Sequence, residues 1–225
     1  MSQPEPLILA SQSPRRRALL AASGLEFEVR VSNADETLHL ASGAPRVVAL
    51  KTALAKGEAI AETAPAGRLI LAADTIVIID GEILNKPAGR AEARAMLGRL
   101  SGRTHEVVTG MALLRAGGEA LVDAVPAKVR FHELSRALID EYVDSGEADD
   151  KAGSYGIQGL GARLVAAVDG DLTGVIGLPM KRLRGMFIEM TGRDWLAGRS
   201  LRADARAAFA ELSRLDPACL DGIPG

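Results

Sequence analysis

Hydrophobic residues recur along the chain with two periods, one typical of strands and one typical of helices. Strands are predicted at residues 7–10, 27–31, 69–79, 82–84, 107–114 and 124–132. Helices are predicted at residues 14–24, 45–62, 91–100, 138–143, 179–190 and 200–215. Residues 164–168 and 172–176 are predicted to pair as a hairpin across an Asp-Gly-Asp turn. Because strands and helices alternate, the pattern predicts an α/β fold.

The predicted helix at 14–24 begins with an unusual distribution of charge. Ser13 suits the N-cap position and Pro14 suits the first helical position. Three arginines at residues 15–17 then fill the first turn, where the helix dipole favours anions over cations. A bound anion, phosphate above all, would resolve this conflict by accepting hydrogen bonds from backbone N–H groups and guanidinium groups. The alternative is a solvated arginine face on an ordinary surface helix.

One acidic residue lies inside the longest apolar run, where Asp74 interrupts residues 69–79. An ionised carboxylate in such surroundings is unfavourable by several kcal/mol unless it is paired or bound to a metal. Asp74 is therefore predicted to lie at a cavity and to face a cation. The alternative is a structural aspartate whose oxygens accept hydrogen bonds from backbone N–H groups.

Lys86 follows a two-residue Asp-Gly turn. Such a turn places it opposite Thr75, on the other face of the sheet from Asp74, unless a bulge shifts the register by one residue. Pro87 cannot donate a ladder hydrogen bond, so pairing is expected to end there and to let Lys86 turn toward a site. A lysine that protects the sheet edge from further pairing is the alternative.

Two further groups are candidates for a polar site. Lys51 and Lys56 belong to the predicted helix at 45–62, where solvated surface charge is the ordinary role of lysine. Asp35 and Glu36 precede that helix, and their oxygens are ligands that a divalent cation prefers. A solvated acidic loop is the alternative for this pair.

The glycine-rich segment 151–161 allows a backbone to approach a ligand closely. Gln158 offers both a donor and an acceptor, which suits the edge of a pyrimidine base. A flexible surface loop is the alternative, although Ile157 and Leu160 favour packing. The chain contains neither the P-loop motif nor the glycine fingerprint of a Rossmann site.

The composition narrows the classes of function. The chain has 225 residues and a net charge of −2, so no overall field draws it to nucleic acid or to a membrane. Aromatic residues make up 3%, which leaves few stacking surfaces for single strands. With one cysteine, Cys219, and three histidines, neither a disulfide nor a structural zinc site is expected. The amino terminus lacks the positive region of a signal peptide and no apolar run would span a bilayer, so a cytoplasmic protein is expected.

Four motifs occur in order along the chain: LASQSPRR at residues 9–16, ADT at 73–75, NKP at 85–87 and KAGSYGIQG at 151–159. Together with supporting runs at 100–110 and 175–179, they resemble the Maf nucleoside triphosphate pyrophosphatases. The resemblance implies a mixed α/β fold with a curved central sheet flanked by helices and a cleft between two lobes. It implies a single domain at residues 1–191 and leaves 192–225 as an extension of unknown role, partly helical.

The family resemblance also implies an activity, which is metal-dependent hydrolysis of nucleoside triphosphates to the monophosphate and pyrophosphate, often by a homodimer. Asp74 resembles the general base or metal-associated carboxylate, and Glu36 resembles the acidic residue that helps to hold Mg, Mn or Co. The residues that resemble the phosphate-binding set are Ser11, Arg15, Arg16, Lys56 and Lys86, with Lys51 as the substitute for Lys56 if the helix register is shifted.

The YGIQ version of the late motif resembles the branch of the family that prefers dTTP and UTP. By that resemblance, Arg15, Thr75 and Gln158 determine the choice of substrate. Gly57 departs from the family, which more often has alanine there, and the segment beyond about Trp195 exceeds the usual family length.

Three alternative functions remain open at this point. One is a pyrophosphatase for modified purine nucleotides such as 7-methyl-GTP, and another is a non-catalytic nucleotide-binding regulator of cell division. Nucleic-acid binding through residues 15–17 is the third, which the net charge and the scarcity of aromatic residues disfavour.

Overall fold

The computed structural model describes residues 5–32 and 43–197, and these residues form a seven-stranded sheet with helices packed against it. The strands are β1 (Leu7–Leu9), β2 (Phe27–Val29), β3 (Leu69–Ile79), β4 (Glu82–Leu84), β5 (Thr104–Arg115), β6 (Ala120–Phe131) and β7 (Val165–Gly170). The α-helices are α1 (Pro14–Ala22), α2 (Pro45–Ala61), α3 (Arg90–Leu100), α4 (Arg136–Asp144), α5 (Leu172–Ile176) and α6 (Met180–Thr191). The predicted mixed α/β fold is confirmed. The helix predicted at 200–215 lies outside the described residues.

The sheet is mixed in direction. Its strand order is β2-β1-β3-β5-β6-β7, and β4 pairs with β3 in addition. β1 runs parallel to β2 and β3, whereas the other pairs are antiparallel. β3 pairs with β5 in a register that sets Asp74 opposite Gly110 and Thr75 opposite Thr109. Across residues 5–32 and 43–197, no helix is both long and apolar enough to cross a membrane.

The other edge of β3 is only partly paired by the described strands. β1 pairs with it at Ile70 and Leu71, and β4 pairs with it from residue 77 to residue 79. A gap in the edge therefore extends between Leu71 and Val77. Side chains from both faces of the sheet reach the same space through this gap.

β3 is apolar along most of its length because both of its faces are covered. Even-numbered residues from Ile70 onward pack beneath α2, and odd-numbered residues from Leu71 onward join the larger core on the opposite face. By the same alternation, Asp74 lies on the α2 face and Thr75 lies on the opposite face. The strand thus directs two adjacent polar side chains to opposite faces at the gap.

α2 lies directly on the sheet because small residues occupy the contact. A Cβ atom on Gly110 of β5 would lie 2.3 Å from the carbonyl oxygen of Ala49, a separation that real side chains do not show. A Cβ atom on Gly57 would lie 2.3 Å from Cδ1 of Leu114, so in this chain a leucine fills the space that alanine would need. This close packing positions the buried side of α2, which carries Lys56.

One predicted hairpin is wrong, because only its first half is a strand. β7 pairs with β6, but the second half of the predicted hairpin is the short helix α5. Asp171 explains the difference by capping that helix. Its carboxylate accepts hydrogen bonds from the backbone N–H of Gly174 at 3.1 Å and from the hydroxyl of Thr173 at 2.6 Å.

Candidate active site

A cleft of about 600 Å³ opens at the gap in the edge of β3. Its walls are the β1–α1 turn, one side of α2, the chain just after β4, and the glycine-rich segment before β7. The cleft brings together seven residues that the sequence analysis singled out, namely Ser11, Arg15, Arg16, Lys56, Asp74, Thr75 and Lys86.

The start of α1 forms one wall, and its predicted cap is confirmed. The Ser13 hydroxyl accepts a hydrogen bond from the backbone N–H of Arg16 at 3.4 Å, and Pro14 is the first helical residue. The turn between β1 and this cap brings the first two arginines of the helix to the cleft. The arginines that conflict with the helix dipole at residues 15 and 16 therefore line a cavity.

Among the described residues, three parts of the fold accept hydrogen bonds from the Arg16 side chain. Its Nε donates to the carbonyl of Gly177 at 2.8 Å, its Nη1 to Oγ of Ser11 at 3.1 Å, and its Nη2 to Oγ1 of Thr75 at 3.1 Å. Arg15 also lines the cleft, but its side chain makes no hydrogen bond to a described residue. The two neighbouring arginines thus have different structural surroundings.

These surroundings predict unequal effects on stability. Arg16→Ala is expected to lower the free energy of unfolding by about 2 kcal/mol, because it removes three hydrogen bonds and leaves polar groups of the fold without a donor. Arg15→Ala is the matched control and is expected to change the free energy by less than about 0.5 kcal/mol. Urea unfolding of both variants measures the difference, and equal losses would contradict this assignment.

Lys56 and Asp74 form an ion pair between α2 and β3. Nζ of Lys56 donates to Oδ1 of Asp74 at 2.7 Å, and the two side chains are 11% and 16% exposed. Asp74 therefore faces a cation, which was the first of the two sequence interpretations. Oδ2 of Asp74 makes no hydrogen bond to a described residue, so it is available to a ligand or to water. Lys56 lines the cleft, whereas Lys51 is exposed and does not line it.

Lys86 reaches the cleft by a different route from the predicted one. The β3–β4 ladder ends where Leu84 pairs with Val77, so the predicted pairing of Lys86 with Thr75 is wrong. The chain turns away at Asn85, whose carbonyl accepts a hydrogen bond from the backbone N–H of Gly153 at 3.2 Å. Because Lys86 lies beyond the ladder, no bulge is required to bring it to the cleft that contains Asp74.

The glycine-rich segment packs against the body of the protein and forms another wall of the cleft. Tyr155, Gly156 and Ile157 are buried and line the cleft. The Tyr142 hydroxyl of α4 accepts a hydrogen bond from the backbone N–H of Gly156 at 3.0 Å. Gln158 is half-buried and lies next to these lining residues without being one of them.

A buried histidine, His105, packs against Tyr155 of this wall. Nε2 of His105 lies 2.7 Å from the Tyr155 hydroxyl, and its ring packs edge-on against Tyr155 and Phe131. Burial lowers the pKa of His105 from 6.5 to about 4, so the ring is neutral near pH 7. Burial also raises the pKa of the Tyr155 hydroxyl, which therefore keeps its proton.

The shifted pKa of His105 predicts a pH dependence of stability. Between pH 6.5 and about 4 the unfolded chain binds a proton at this residue and the folded chain does not, so stability is complete above pH 6.5 and falls as the pH falls. The loss is expected to approach about 3 kcal/mol near pH 4. Urea unfolding from pH 4 to 7 measures it, and His105→Gln is expected to flatten the profile; a variant with an unchanged slope would contradict the assignment.

The cleft is also lined by two charged residues to which the sequence pattern gave no role. Nζ of Lys151 lies 2.6 Å from Oδ1 of Asp150, and both residues border the cleft. Burial acts to raise the pKa of Asp150, but the hydrogen bond from Lys151 and the charges of Lys151 and Arg15 outweigh it and lower the pKa. The Asp-Asp-Lys run that precedes the glycines was the available signal in the sequence.

The described lining of the cleft is strongly positive. Five cationic residues, Arg15, Arg16, Lys56, Lys86 and Lys151, oppose two carboxylates, Asp74 and Asp150. The lining therefore carries a net charge of +3, whereas the whole chain carries −2. Within residues 5–32 and 43–197, no group of three or more His, Cys, Asp or Glu residues could hold a metal ion. The predicted ligand Glu36, with Asp35, lies outside the described residues.

The fold and the cleft define an α/β protein with a cation-lined cleft that contains a paired carboxylate. The chain belongs to the Maf family. The family model described as Maf-like protein matches residues 6–190, which include every strand and helix described above except the last residue of α6.

Named relatives and solved structures are similar to this chain to different degrees. The chain is 53% identical to a dTTP/UTP pyrophosphatase of Symbiobacterium thermophilum over 78% of this chain and 89% of the relative. It is 46% identical to a dTTP/UTP pyrophosphatase of Bacillus anthracis over 79% of this chain and 91% of the relative. The Ham1 protein of Staphylococcus aureus matches 72% of this chain and 81% of its own, with a TM-score of 0.43 at 16% identity.

Proposed function

We propose that this chain hydrolyses nucleoside triphosphates, with dTTP and UTP preferred, to the nucleoside monophosphate and pyrophosphate. The observation that carries the proposal is the Lys56–Asp74 pair in a cleft that five cationic residues line. The names of the relatives in the same family support the choice of substrates. Residues 1–191 are proposed to form the catalytic domain, and the homodimer implied by the family resemblance stays a prediction.

In this proposal the cationic groups bind the triphosphate. Arg15 and Lys86 contact phosphate oxygens, because both are cationic residues that line the cleft. Arg16, Ser11 and Lys56 complete the proposed phosphate-binding set, and Arg16 also keeps the first turn of α1 in its position through its bonds to the fold. Charge that develops on the phosphate oxygens during the reaction is stabilised by groups that are already oriented.

The proposed chemical step is attack by water on the α-phosphorus. A bond forms between the water oxygen and phosphorus, and the bond from phosphorus to the bridging oxygen breaks, with its electron pair leaving on pyrophosphate. Asp74 accepts the water proton at Oδ2, while Lys56 holds Oδ1 at 2.7 Å and keeps the carboxylate oriented. Thr75 and Arg15 are proposed to influence the choice of base together with Gln158, the residue next to the cleft lining.

A divalent cation, Mg, Mn or Co, fits the donor set. Magnesium is commonly held by one or two carboxylates with substrate phosphates and water, so the single carboxylate Asp74 is compatible with it and a cage of protein ligands is not required. Asp74 and Glu36 are the residues proposed to hold the cation. When bound, it would neutralise phosphate charge and polarise the phosphoryl oxygens.

A panel of triphosphates tests the proposed function. UTP, dTTP, CTP, GTP and 7-methyl-GTP are incubated with the protein and Mg, Mn or Co, and the monophosphate and pyrophosphate products are separated by chromatography. UTP and dTTP are expected to be hydrolysed fastest, and a chelator is expected to abolish turnover. Faster hydrolysis of 7-methyl-GTP would favour a modified-purine pyrophosphatase, and binding without turnover would favour a regulator.

A further inference from the structure

A fully buried threonine of β5 contacts the cleft residue Thr75 from beneath. Thr109 has no exposed surface, and its Oγ1 lies 2.8 Å from Oγ1 of Thr75. The same Thr109 oxygen donates a hydrogen bond to the carbonyl of Gly174 at 2.8 Å. Nη2 of Arg16 donates to Thr75 at 3.1 Å from the other side. The four groups form one continuous chain of hydrogen bonds.

The direction of every bond in this chain follows from the number of protons. A threonine hydroxyl carries one proton, and that of Thr109 goes to the Gly174 carbonyl, which is only an acceptor. Thr109 can therefore only accept from Thr75, so the single proton of Thr75 points to Thr109. The guanidinium of Arg16 is only a donor and occupies one lone pair of the Thr75 oxygen. The remaining lone pair is all that Thr75 can offer to a ligand.

We propose that Thr109 is a positioning residue that makes Thr75 an acceptor-only group in the cleft. Such a group is unsuited to a phosphate oxygen, which is itself an acceptor, and requires a donor on the substrate. Uracil and thymine carry a ring N–H at position 3, whereas cytosine presents a bare nitrogen there. The inference rests on the proposed function and deepens it, because it names the chemical group by which uracil and thymine are chosen over cytosine.

The position of Thr75 is consistent with this contact. Its side chain is half-buried at the cleft, and the nearby backbone of Gly177 carries no side chain that would cover it. A Cβ atom at Gly177 would lie 3.5 Å from Oγ1 of Thr75, and the φ angle of +128° at that residue disfavours any side chain. A sugar hydroxyl is another donor, but UTP and CTP share it, so a comparison of these two substrates separates the two contacts.

A set of variants tests the inference by the ratio of kcat/KM for UTP to that for CTP. Thr109→Val keeps the shape but removes the acceptor, so Thr75 can turn its proton toward the cleft and the ratio is expected to fall about tenfold or more. Thr109→Ser keeps the hydroxyl and is expected to retain the ratio. In a Thr75→Val background, Thr109→Val is expected to change the ratio no further, because Thr109 acts through Thr75.

Other outcomes would overturn the inference. One is an unchanged UTP to CTP ratio in Thr109→Val, which includes an equal loss of activity toward both substrates. Another is a fall of the ratio in Thr109→Ser as large as that in Thr109→Val. A third is a further fall of the ratio when Thr109→Val is added to Thr75→Val. If the valine variant does not fold, as judged by circular dichroism, the wild-type protein still decides. It is expected to hydrolyse 3-methyl-UTP and CTP at least about tenfold less efficiently than UTP, and equal rates would refute the role of Thr75. Absence of pyrophosphate release from every triphosphate would instead refute the proposed function itself.

Discussion

Replacing Asp74 with asparagine is expected to reduce the hydrolysis of UTP by about 10²- to 10⁴-fold, the range expected for loss of a general base. The amide keeps the shape of the side chain and still accepts a hydrogen bond from Lys56 through its oxygen. It cannot take a proton from water, and it removes the negative charge that faces Lys56 in the wild type. We therefore expect a folded protein that has lost about 1–2 kcal/mol of stability, since the pair is mostly but not completely buried.

Two measurements separate loss of chemistry from loss of structure in this variant. Calorimetric titration in the absence of a divalent cation is expected to show that Asp74→Asn binds UTP at least as tightly as the wild type, because the cleft has become more positive. Asp150→Asn is the matched control, since it removes a carboxylate of the same cleft whose partner is Lys151. Its turnover is expected to stay within about fivefold of the wild type, in line with the small energies of exposed ion pairs. Near-normal turnover in Asp74→Asn would remove Asp74 from the mechanism.

Gly110→Ala is expected to lower both stability and turnover, although the residue does not line the cleft. The new Cβ would lie 2.3 Å from the backbone oxygen of Ala49, so α2 must move outward by roughly 1 Å to restore a normal contact. Overpacking of this kind costs about 3 kcal/mol. Because α2 carries Lys56, the shift also separates the Lys56–Asp74 pair, and a displacement of this size is expected to reduce kcat by about 10²-fold.

A glycine elsewhere provides the control for this substitution. Gly98 is an exposed residue of α3, and a Cβ atom built on it has no neighbour within 4 Å. Gly98→Ala is expected to increase stability by about 0.5–1 kcal/mol, because alanine is favoured over glycine in a helix, and to leave turnover unchanged. Thermal unfolding and steady-state kinetics on the two alanine variants measure both effects. Wild-type stability in Gly110→Ala would contradict the proposed dependence of the site on the α2 contact.

The residues that stand out in the sequence are those whose chemical type conflicts with the local structure around them. Asp74 in an apolar strand and the arginines at a helix start each break a rule of local structure, and the structure places Asp74, Arg15 and Arg16 at the same cleft. The boundaries of β3 and the cap of α1 were also predictable, because periodicity and capping depend on neighbouring residues. Local chemistry therefore predicted much of the fold and many of the residues that line the cleft.

Contacts between distant residues were beyond the reach of the sequence pattern. The bond from Arg16 to the Gly177 carbonyl joins residues 161 positions apart, and the Thr75–Thr109 contact depends on the register of two long strands. The sequence predicted that Lys86 belongs to the β3–β4 ladder, but the ladder ends at Leu84. The chain leaves the ladder there because Asn85 bonds to Gly153 of the glycine-rich segment, a contact that the turn sequence does not reveal. Tyr142 gave no signal at all, since its role comes from the fold of a loop that follows it by fourteen residues.

The interrupted edge of β3 separates two tasks that the proposed enzyme performs on one substrate. The Lys56–Asp74 pair lies on the α2 face, whereas the hydroxyls of Thr75 and Thr109 lie on the other face, toward α5. The two sets of groups line the same cleft, but adjacent residues of β3 direct them from opposite faces of the sheet. Substitutions on the α5 face are therefore expected to change which base is accepted while the Lys56–Asp74 pair stays as it is. A new base preference can then evolve without changes to the residues that break the phosphoanhydride bond.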